Sequence, residues 1–463
     1  MTPTATVASQ MYFEQFYLGC LAHASYLLGS QGEAVVVDPQ RDVDLYLETA
    51  EQQGLRIRHI FETHLHADFV SGHKELAART GAQIYIGSKA GATFPHVPLQ
   101  DGFELSFGKA KLRVLETPGH TPESICLVIT DKEKSPQPWA VLTGDTLFIG
   151  DVGRPDLSPS HTPAQLAGML YDSLHDKLLA LPDEVIVYPA HGAGSLCGRN
   201  MRSERSSTIG TERLTNYALQ IPSQAEFIQQ LTSNLPARPE YFLKDAAINR
   251  DGAPPLADLS SLPSLSPADV RELIEQGSPA LDVRSGDQYS AGHVPGSINI
   301  ALSGQFATWA GTILGLAARP ILIADGDEQL NEARLRLARV GIDAERGFLA
   351  GGLDAWKRAG FKLATIPQMT AQELRARWPL PGVRILDVRR EPEWNAGHLA
   401  DAQLWPLDKF VEQLPNVDRS TALLVHCKSG YRSMIACALL QKAGYTAVTN
   451  LAGGYDAWTQ TQA

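Results

Sequence analysis

The stretch FETHLHADFVSGH, from Phe61 to His73, places His64, His66 and Asp68 at alternate positions. Imidazole and carboxylate groups at such a spacing are typical of metal ligands. The residue after the aspartate is Phe69, whose ring has no lone pair to give to a metal. The stretch therefore predicts a metal site, and the metal must be one that needs no ligand at position 69.

Three further candidate ligands follow predicted strands, in TPGHTPES, TGDTLF and YPAHGAG: His120, Asp145 and His191. Side chains at strand ends can converge on one ion, because the sheet fixes the strand ends while the loops stay open. Each histidine alone would be interpreted as structural. Six ligand-type residues in this arrangement predict one metal centre.

The order of these motifs resembles the metallo-β-lactamase superfamily over about residues 11–243. The resemblance implies an αββα sandwich with the metal at one edge of its paired sheets. Hydrolases of the superfamily hold two zinc ions with an H-x-H-x-D-H motif. Phe69 replaces the last histidine, so one ligand of the second ion is missing and a single-metal site is favoured.

Two imidazoles and one carboxylate beside open positions form the ligand set of non-haem Fe(II) oxygenases. The motifs resemble the superfamily branch with that chemistry, the persulfide dioxygenases. This resemblance implies one mononuclear Fe(II) held by His64, His120 and Asp145. It implies three neighbours that do not bind the ion: His66, Asp68 and His191. The open positions would take the sulfur of a low-molecular-weight thiol persulfide and O₂ side by side, giving thiol and sulfite.

Two residues are candidates for substrate binding. Arg154, in GDVGRPDL, is placed to bind a substrate carboxylate, with pairing to an acidic neighbour as the structural alternative. Cys197 follows His191 by six positions (197 − 191 = 6) and could approach the metal, or it is a small buried hydrophobe. Cys20 is a weaker candidate. Two other cysteines lie in apolar runs and are predicted core residues: Cys126 and Cys437. The thiol that carries the persulfide stays open.

An internal repeat occupies the rest of the chain. LDVRSGDQYSAGH from Leu281 matches LDVRREPEWNAGH from Leu386, at an offset of 386 − 281 = 105. LAGGLDAW from Leu349 matches LAGGYDAW from Leu451, at an offset of 451 − 349 = 102. Each copy alternates strand and helix patterns over about a hundred residues, as one small α/β domain does.

The second copy contains a loop that begins with a cysteine after a buried strand. Its residues are the candidate catalytic group: Cys427, Lys428, Ser429, Gly430, Tyr431, Arg432 and Ser433. Backbone N–H groups at the start of the following helix, with Lys428 or Arg432, would stabilise a thiolate or persulfide. The alternative is a phosphatase loop, but the arginine comes at position five after the cysteine (432 − 427 = 5), one short of that spacing.

These motifs resemble the rhodanese family over about residues 370–458, which implies sulfane-sulfur transfer through a persulfide on Cys427. In the first copy the offset of 102 places Asp325 at the cysteine position (427 − 102 = 325). An aspartate has no sulfur to carry. The first copy is therefore predicted to be inactive, with a scaffold or docking role.

The predicted fold class is α/β, with an N-terminal αββα sandwich and two α/β rhodanese domains that have central parallel sheets. The expected domains are a dioxygenase domain over 1–248, a linker over 249–264, an inactive rhodanese-like domain over 265–366 and a catalytic one over 367–463. The linker assignment depends on the Pro- and Ser-rich stretch NRDGAPPLADLSSLPSLSP.

Composition narrows the class of protein. The net charge is −11 over 463 residues, which argues against nucleic-acid or anionic-membrane binding. The start, MTPTATVASQMYFEQ, lacks a secretion signal, and five scattered cysteines do not suggest a disulfide framework. We expect a cytoplasmic protein without membrane spans, and the sequence leaves a homo-oligomer open.

Persulfide oxidation and sulfur transfer fit together chemically, because the oxidation yields sulfite and the transfer can join sulfane sulfur to that sulfite as thiosulfate. The transfer could also run in reverse and use thiosulfate to load a thiol for oxidation. Two alternatives stay open. One is a dizinc thioesterase of the glyoxalase II kind with a rhodanese sulfur-carrier module. The other is a sulfur carrier or sensor in which the metal site no longer acts.

Overall fold

The computed structural model describes residues 11–233, 235, 238–256 and 261–461. The chain divides into two compact units. The first comprises Met1–Asp258 and Ala338–Gly341, and the second comprises Leu259–Leu337 and Ile342–Ala463. Part of the predicted linker (257–260) and ten residues of the start, where a secretion signal was sought, lie outside the described residues.

The first unit contains two six-stranded sheets. The first sheet has its strands in sequence order: β1 (Tyr12–Leu18), β2 (His23–Ser30), β3 (Glu33–Val37), β4 (Arg56–Glu62), β5 (Gln83–Gly87) and β6 (Val97–Leu99). The second runs in the order β12-β11-β10-β9-β8-β7, with these bounds: β7 (Glu104–Phe107), β8 (Ala110–Glu116), β9 (Ile125–Asp131), β10 (Ala140–Gly144), β11 (Ile186–Pro189) and β12 (Ser207–Thr208). Both sheets mix parallel and antiparallel pairs.

Helices cover the outer faces of both sheets. They are α1 (Asp44–Gln52), α2 (His73–Thr80), α3 (Pro163–Asp172), α4 (Ile209–Thr215), α5 (Gln224–Thr232) and α6 (Tyr241–Asp251). A π-helical turn over Ser173–Leu178 continues α3, and a 3₁₀ turn over Tyr217–Gln220 follows α4. Helices α1 and α2 pack on the first sheet, and α3 and α5 pack on the second.

Alternation along the strands explains the layers. On β3, Val35 and Val37 face the second sheet, whereas Ala34 and Val36 face the helices. Successive side chains of a strand point to opposite faces, so a strand that is apolar throughout is buried on both sides. The sheets share one apolar layer, and each has a second apolar layer under its helices. This arrangement confirms the predicted αββα sandwich.

The second unit contains two five-stranded parallel sheets with the same topology. The first is ordered β13-β17-β16-β14-β15 and has these bounds: β13 (Ser264–Leu265), β14 (Ala280–Asp282), β15 (Ile298–Asn299), β16 (Ile321–Ile323) and β17 (Gly347–Leu349). The second is ordered β18-β22-β21-β19-β20, with these bounds: β18 (Gln368–Met369), β19 (Val383–Asp387), β20 (Ala402–Leu404), β21 (Ala422–His426) and β22 (Val448–Leu451). The sheet topology repeats as the sequence does, which confirms two α/β domains with parallel sheets.

The connections of this unit are short helices. In the first copy they are α7 (Pro267–Glu275), α8 (Gly286–Ala291), α9 (Phe306–Leu314), α10 (Asp327–Ala338) and α11 (Gly352–Arg358). In the second they are α12 (Ala371–Arg377), α13 (Glu391–Asn395), a 3₁₀ turn (Leu407–Val411), α14 (Tyr431–Lys442) and α15 (Gly454–Gln460). Among the described residues, no helix combines the length and the apolar character that crossing a bilayer requires.

One local prediction differs from the structure. The stretch from Asn249 was expected to lack helical structure, yet α6 continues to Asp251. Asn249 itself is buried, with 1% of its surface exposed. The helix extends because this residue makes tertiary hydrogen bonds that the local sequence pattern does not reveal.

Candidate functional site

Three predicted ligands meet beyond the ends of strands in the first unit. His64 comes shortly after β4, His120 follows β8, and Asp145 directly follows β10. The Nε2 atoms of His64 and His120 lie 3.7 and 3.4 Å from Asp145 Oδ2. All three side chains are buried, and their ligand atoms lie within 4.8 Å of one another. The geometry is that of three donors around a common point.

Hydrogen bonds on the far side of each imidazole orient these donors. His120 Nδ1 lies 2.9 Å from the carbonyl oxygen of Arg154, and His64 Nδ1 lies 3.0 Å from Thr63 Oγ1. Each ring therefore presents Nε2 toward Asp145. Gly153 makes this packing feasible, because a Cβ there would lie 2.8 Å from His120 Nδ1 and 2.0 Å from the Asp145 carbonyl oxygen.

The protonation states suit metal binding. Burial lowers the pKa values of His64 and His120, which keeps both imidazoles neutral as ligands must be. Burial alone would raise the pKa of Asp145, but His191 and the other histidines hold it well below its usual value. Asp145 Oδ2 is buried and has no hydrogen-bond partner among the described residues. An orphaned carboxylate oxygen between two neutral imidazoles fits a bound metal ion.

The three predicted neighbours form a second group beside the first. His191 Nδ1 lies 2.7 Å from Asp145 Oδ1, and its Nε2 lies 3.0 Å from Asp68 Oδ2. Ligand atoms of His66, Asp68 and His191 also lie within 4.8 Å of one another. The structure thus brings all six predicted residues together, and His191 connects Asp145 to Asp68.

His66 lies beside two acidic side chains. Its Nε2 lies 3.2 Å from Asp38 Oδ1 and 3.7 Å from Glu62 Oε2. Burial lowers the pKa of His66, but these two carboxylates outweigh burial and raise it. Neither ring nitrogen of His66 has a hydrogen-bond partner among the described residues, and His66 still offers a ligand atom to the second group, with Asp68 and His191.

Phe69 fills the place of the missing ligand. Its ring centroid lies 4.1 Å from that of His23 and 4.5 Å from that of His66. His23 is fully buried at the start of β2, and no hydrogen-bond partner of its ring nitrogens is found among the described residues. His23 was not identified from the sequence, where its one signal is a histidine at the start of the stretch HASYLLGS.

Asn249, at the end of α6, was also missed. Its Nδ2 donates hydrogen bonds of 2.7 Å to the carbonyl oxygens of His66 and Phe69. Its Oδ1 accepts a 2.7 Å hydrogen bond from the Ser71 amide. One buried amide side chain therefore ties both ends of the turn that contains Asp68. No sequence signal identifies it, because its partners lie about 180 residues earlier.

The two predicted substrate residues differ in their surroundings. Arg154 is 4% exposed and makes a two-pronged contact with Asp156, at 2.6 and 2.8 Å, which matches the structural alternative. Cys197 lies beside the metal ligands, since its sulfur is within 4.8 Å of ligand atoms of Asp145 and His191. Burial raises the pKa of the Cys197 thiol, which keeps it protonated. Cys126 and Cys437 are buried as core residues, as predicted.

The cysteine loop lies in the second unit between β21 and α14. The Gly430 amide donates to Cys427 Sγ at 3.2 Å, and Ser433 Oγ lies 3.5 Å from the same sulfur. Gly430 has φ +97°, a conformation that side chains beyond glycine rarely adopt. Lys428 and Ser429 are exposed beside the sulfur. The loop thus directs donors at a buried sulfur, as expected for a stabilised thiolate or persulfide.

Two further members of the loop have partners outside it. Tyr431 donates its hydroxyl to the carbonyl oxygen of Ala301 in the first copy at 2.9 Å. Arg432 donates from Nη1 and Nη2 to the two carboxylate oxygens of Glu393 at 2.7 and 2.6 Å. Burial would raise the pKa of Glu393, but Arg432 holds it below its usual value. Glu393 was not identified from the sequence.

Comparisons with known proteins match both parts of the chain. A model of the Metallo-beta-lactamase superfamily matches residues 18–191. A model of the Rhodanese-like domain matches residues 266–359 and 370–461. The first match contains all six predicted metal-site residues, and the second match of the rhodanese model contains the cysteine loop.

Individual relatives match different shares of the chain. Persulfide dioxygenase ETHE1, mitochondrial, from Bos taurus is 33% identical over 46% of this chain and 77% of that protein. Hydroxyacylglutathione hydrolase from Polaromonas sp. is 33% identical over 39% of this chain and 66% of that protein. A solved metallo-beta-lactamase from Staphylococcus aureus is 35% identical at a TM-score of 0.66, covering 73% of this chain and 98% of its own.

Proposed function

This chain belongs to the metallo-β-lactamase superfamily and contains two rhodanese-like domains, and we propose that it oxidises persulfides with a single ferrous ion. The substrate is a low-molecular-weight thiol persulfide. The balanced reaction is R-S-SH + O₂ + H₂O giving R-SH + SO₃²⁻ + 2 H⁺. Sulfur transfer at Cys427 then exchanges sulfane sulfur among persulfide, sulfite and thiosulfate.

The observation that carries the proposal is the division of the six metal-site residues. His64, His120 and Asp145 face one point with neutral imidazoles and an orphaned oxygen, whereas the group of His66, Asp68 and His191 has Phe69 where a further ligand would stand. The first group is the two-histidine, one-carboxylate set that Fe(II) oxygenases use. A ferrous ion bound there would supply oxygen activation and a coordination position for sulfur.

The residues around the proposed ion orient and shield it. His191 holds Asp145 by its Oδ1, so Oδ2 is directed to the ion. The carbonyl of Arg154 fixes His120, and Thr63 fixes His64. All of these side chains are buried, which keeps bulk water away from the reacting groups.

Cys427 is the proposed sulfur carrier. The step is Cys427–S–S⁻ + SO₃²⁻ giving Cys427–S⁻ + S₂O₃²⁻, in which the S–S bond to the enzyme breaks and one to sulfite forms. The Gly430 amide and the Ser433 hydroxyl would hold the thiolate that leaves. The first copy, with Asp325 at the cysteine position, has no atom to carry sulfur.

A dizinc thioesterase is the second candidate. The group formed by His66, Asp68 and His191 favours it, as does the similarity to hydroxyacylglutathione hydrolases. Phe69 weighs against it, because the second ion would have one ligand fewer. Metal content separates the two functions: one iron per chain supports the dioxygenase, and two zinc ions with thioester hydrolysis support the alternative.

Anaerobic loading with Fe(II), followed by oxygen-electrode measurements with a persulfide, tests the proposal. We expect O₂ uptake with sulfite formation, and its loss in His64→Ala. His59→Ala is the matched control, because His59 lies on β4, is partly exposed and contacts Tyr85. Iron-loaded protein that takes up no O₂ would contradict the proposal. Loss of sulfite formation in His64→Ala would also exclude a carrier or sensor role alone.

A further inference from the structure

The arginine of the cysteine loop has its charge offset by a carboxylate. Arg432 and Glu393 make two parallel hydrogen bonds of 2.7 and 2.6 Å, with 16% and 31% of their side chains exposed. Glu393 lies on α13 and Arg432 lies on α14, so the pair connects two separate helices. Such two-pronged pairs are the strongest form of this interaction, and a partly buried one is weakly screened by salt.

The inactive copy provides an internal comparison. The offsets place Gln288 at the position of Glu393 (393 − 105 = 288) and Leu330 at that of Arg432 (432 − 102 = 330). Gln288 Nε2 donates to Asp325 Oδ2 at 2.7 Å. The same position thus contacts the loop in both copies. The residue at this position is Glu393 in the copy whose loop has Arg432. It is Gln288 in the copy where Leu330 replaces that arginine.

The presence of Glu393 beside Arg432 affects the charge that an incoming sulfur-donor substrate meets at the loop. Arg432 lies in the cysteine loop directly before Ser433, whose Oγ is 3.5 Å from Cys427 Sγ. Lys428 and Arg432 would give the loop two positive charges, and Glu393 reduces their sum to one (+1 +1 −1 = +1). A small dianion loses more attraction from this reduction than a monoanion does, because the energy scales with the product of the charges.

We propose that Glu393 is a specificity-determining residue that weakens the thiosulfate dianion, relative to singly charged persulfides, as a sulfur donor to Cys427. This inference rests on the proposed sulfurtransferase function. Glu393 acts by offsetting the charge of Arg432 at the mouth of the loop. Removing its charge should therefore improve thiosulfate as a donor more than it improves a monoanionic persulfide.

The test compares two donors in the full-length protein with cyanide as the common acceptor. The donors are thiosulfate and the persulfide of 2-mercaptoethanol, with the uncatalysed rate subtracted for each. In Glu393→Gln we expect kcat/KM for thiosulfate to rise roughly fivefold through KM, the size of one partly screened charge–charge interaction. The value for the persulfide should rise by only about twofold, because a monoanion carries half the charge. Glutamine already occupies the equivalent position in the first copy, so the fold accommodates it.

Two further variants serve as controls. Glu391→Gln removes the same charge from an exposed residue of the same helix and should leave the donor ratio unchanged. Glu393→Asp keeps the charge and should stay near the wild-type ratio. An unchanged or lowered thiosulfate-to-persulfide ratio in Glu393→Gln would overturn the inference. Wild-type protein that transfers sulfur from neither donor would instead contradict the proposed function.

Discussion

Removing the side chain of Asn249 should loosen the metal-site turn without touching a proposed ligand. Asn249→Ala deletes three buried hydrogen bonds of 2.7 Å, to the carbonyls of His66 and Phe69 and from the amide of Ser71. The turn they fix contains Asp68 and follows His64 directly. We therefore expect faster local opening of this segment and weaker retention of the metal.

The free-energy cost of Asn249→Ala follows from the backbone groups that lose their hydrogen-bond partner. Each buried backbone group that loses its hydrogen bond costs about 1–3 kcal/mol. Three such groups, at the low end because water can enter the vacated space, give about 3 kcal/mol. Since each 1.4 kcal/mol is a factor of ten, local opening should become roughly a hundred times more populated.

Native-state hydrogen exchange measures this directly. The Ser71 amide should exchange roughly a hundredfold faster in Asn249→Ala, and iron retained after dialysis should fall. Lys244→Ala is the matched control, because Lys244 is exposed on the same helix. Asn249→Asp keeps the acceptor for Ser71 but cannot donate to two carbonyls, so it should be impaired as well. An exchange rate within threefold of the Lys244→Ala value would refute the reasoning.

Three other changes address the remaining features. Phe69→His restores a ligand beside His191, so the total metal content should rise from one to two ions per chain by elemental analysis, and a content still at one would contradict our account of Phe69. Cys427→Ser should lower sulfur transfer by about 10³-fold while O₂ uptake stays within about twofold, because serine has no sulfur to carry; equal loss of both activities would show that the sites are not independent. Burial lowers the pKa of His426 from 6.5 to about 4, so the unfolded state binds the proton more readily and the second unit should lose about 3 kcal/mol as the pH falls from 6.5 to 4. Urea denaturation, with hydrogen exchange of β21 as the probe, should show this loss of unfolding free energy between pH 6.5 and 4. If the loss persists in His426→Gln, another group causes it.

Much of the fold follows from local patterns. Apolar strands separated by helices predict two-sided burial, and both the sandwich of the first unit and the parallel sheets of the second show it. The duplication was evident from matched motifs, and the repeated strand order agrees with it. These features were predictable because periodicity and repetition are properties of the chain itself.

The candidate sites were predictable in part. The six metal-site residues could be named because metal ligands are restricted to a few residue types and stand at strand ends, whereas the choice of His64, His120 and Asp145 as ligands came from the resemblance to the persulfide dioxygenases. Cys427 could be named because it is the first residue of a loop between a buried strand and a helix. The interpretation of Arg154 was left open by the sequence, and only the contact with Asp156 shows its structural pairing.

The sequence by itself determined which chemical groups are present and how often their framework repeats, because both are written in residue identity and spacing. Only the tertiary structure decided how those groups are held. Asn249 fixes the turn after His66 across more than 180 residues, His23 lies against Phe69, and Glu393 offsets Arg432 from another helix. The physical reason is that hydrogen bonds and charges act over a few ångströms of space, and folding sets that separation independently of distance along the chain.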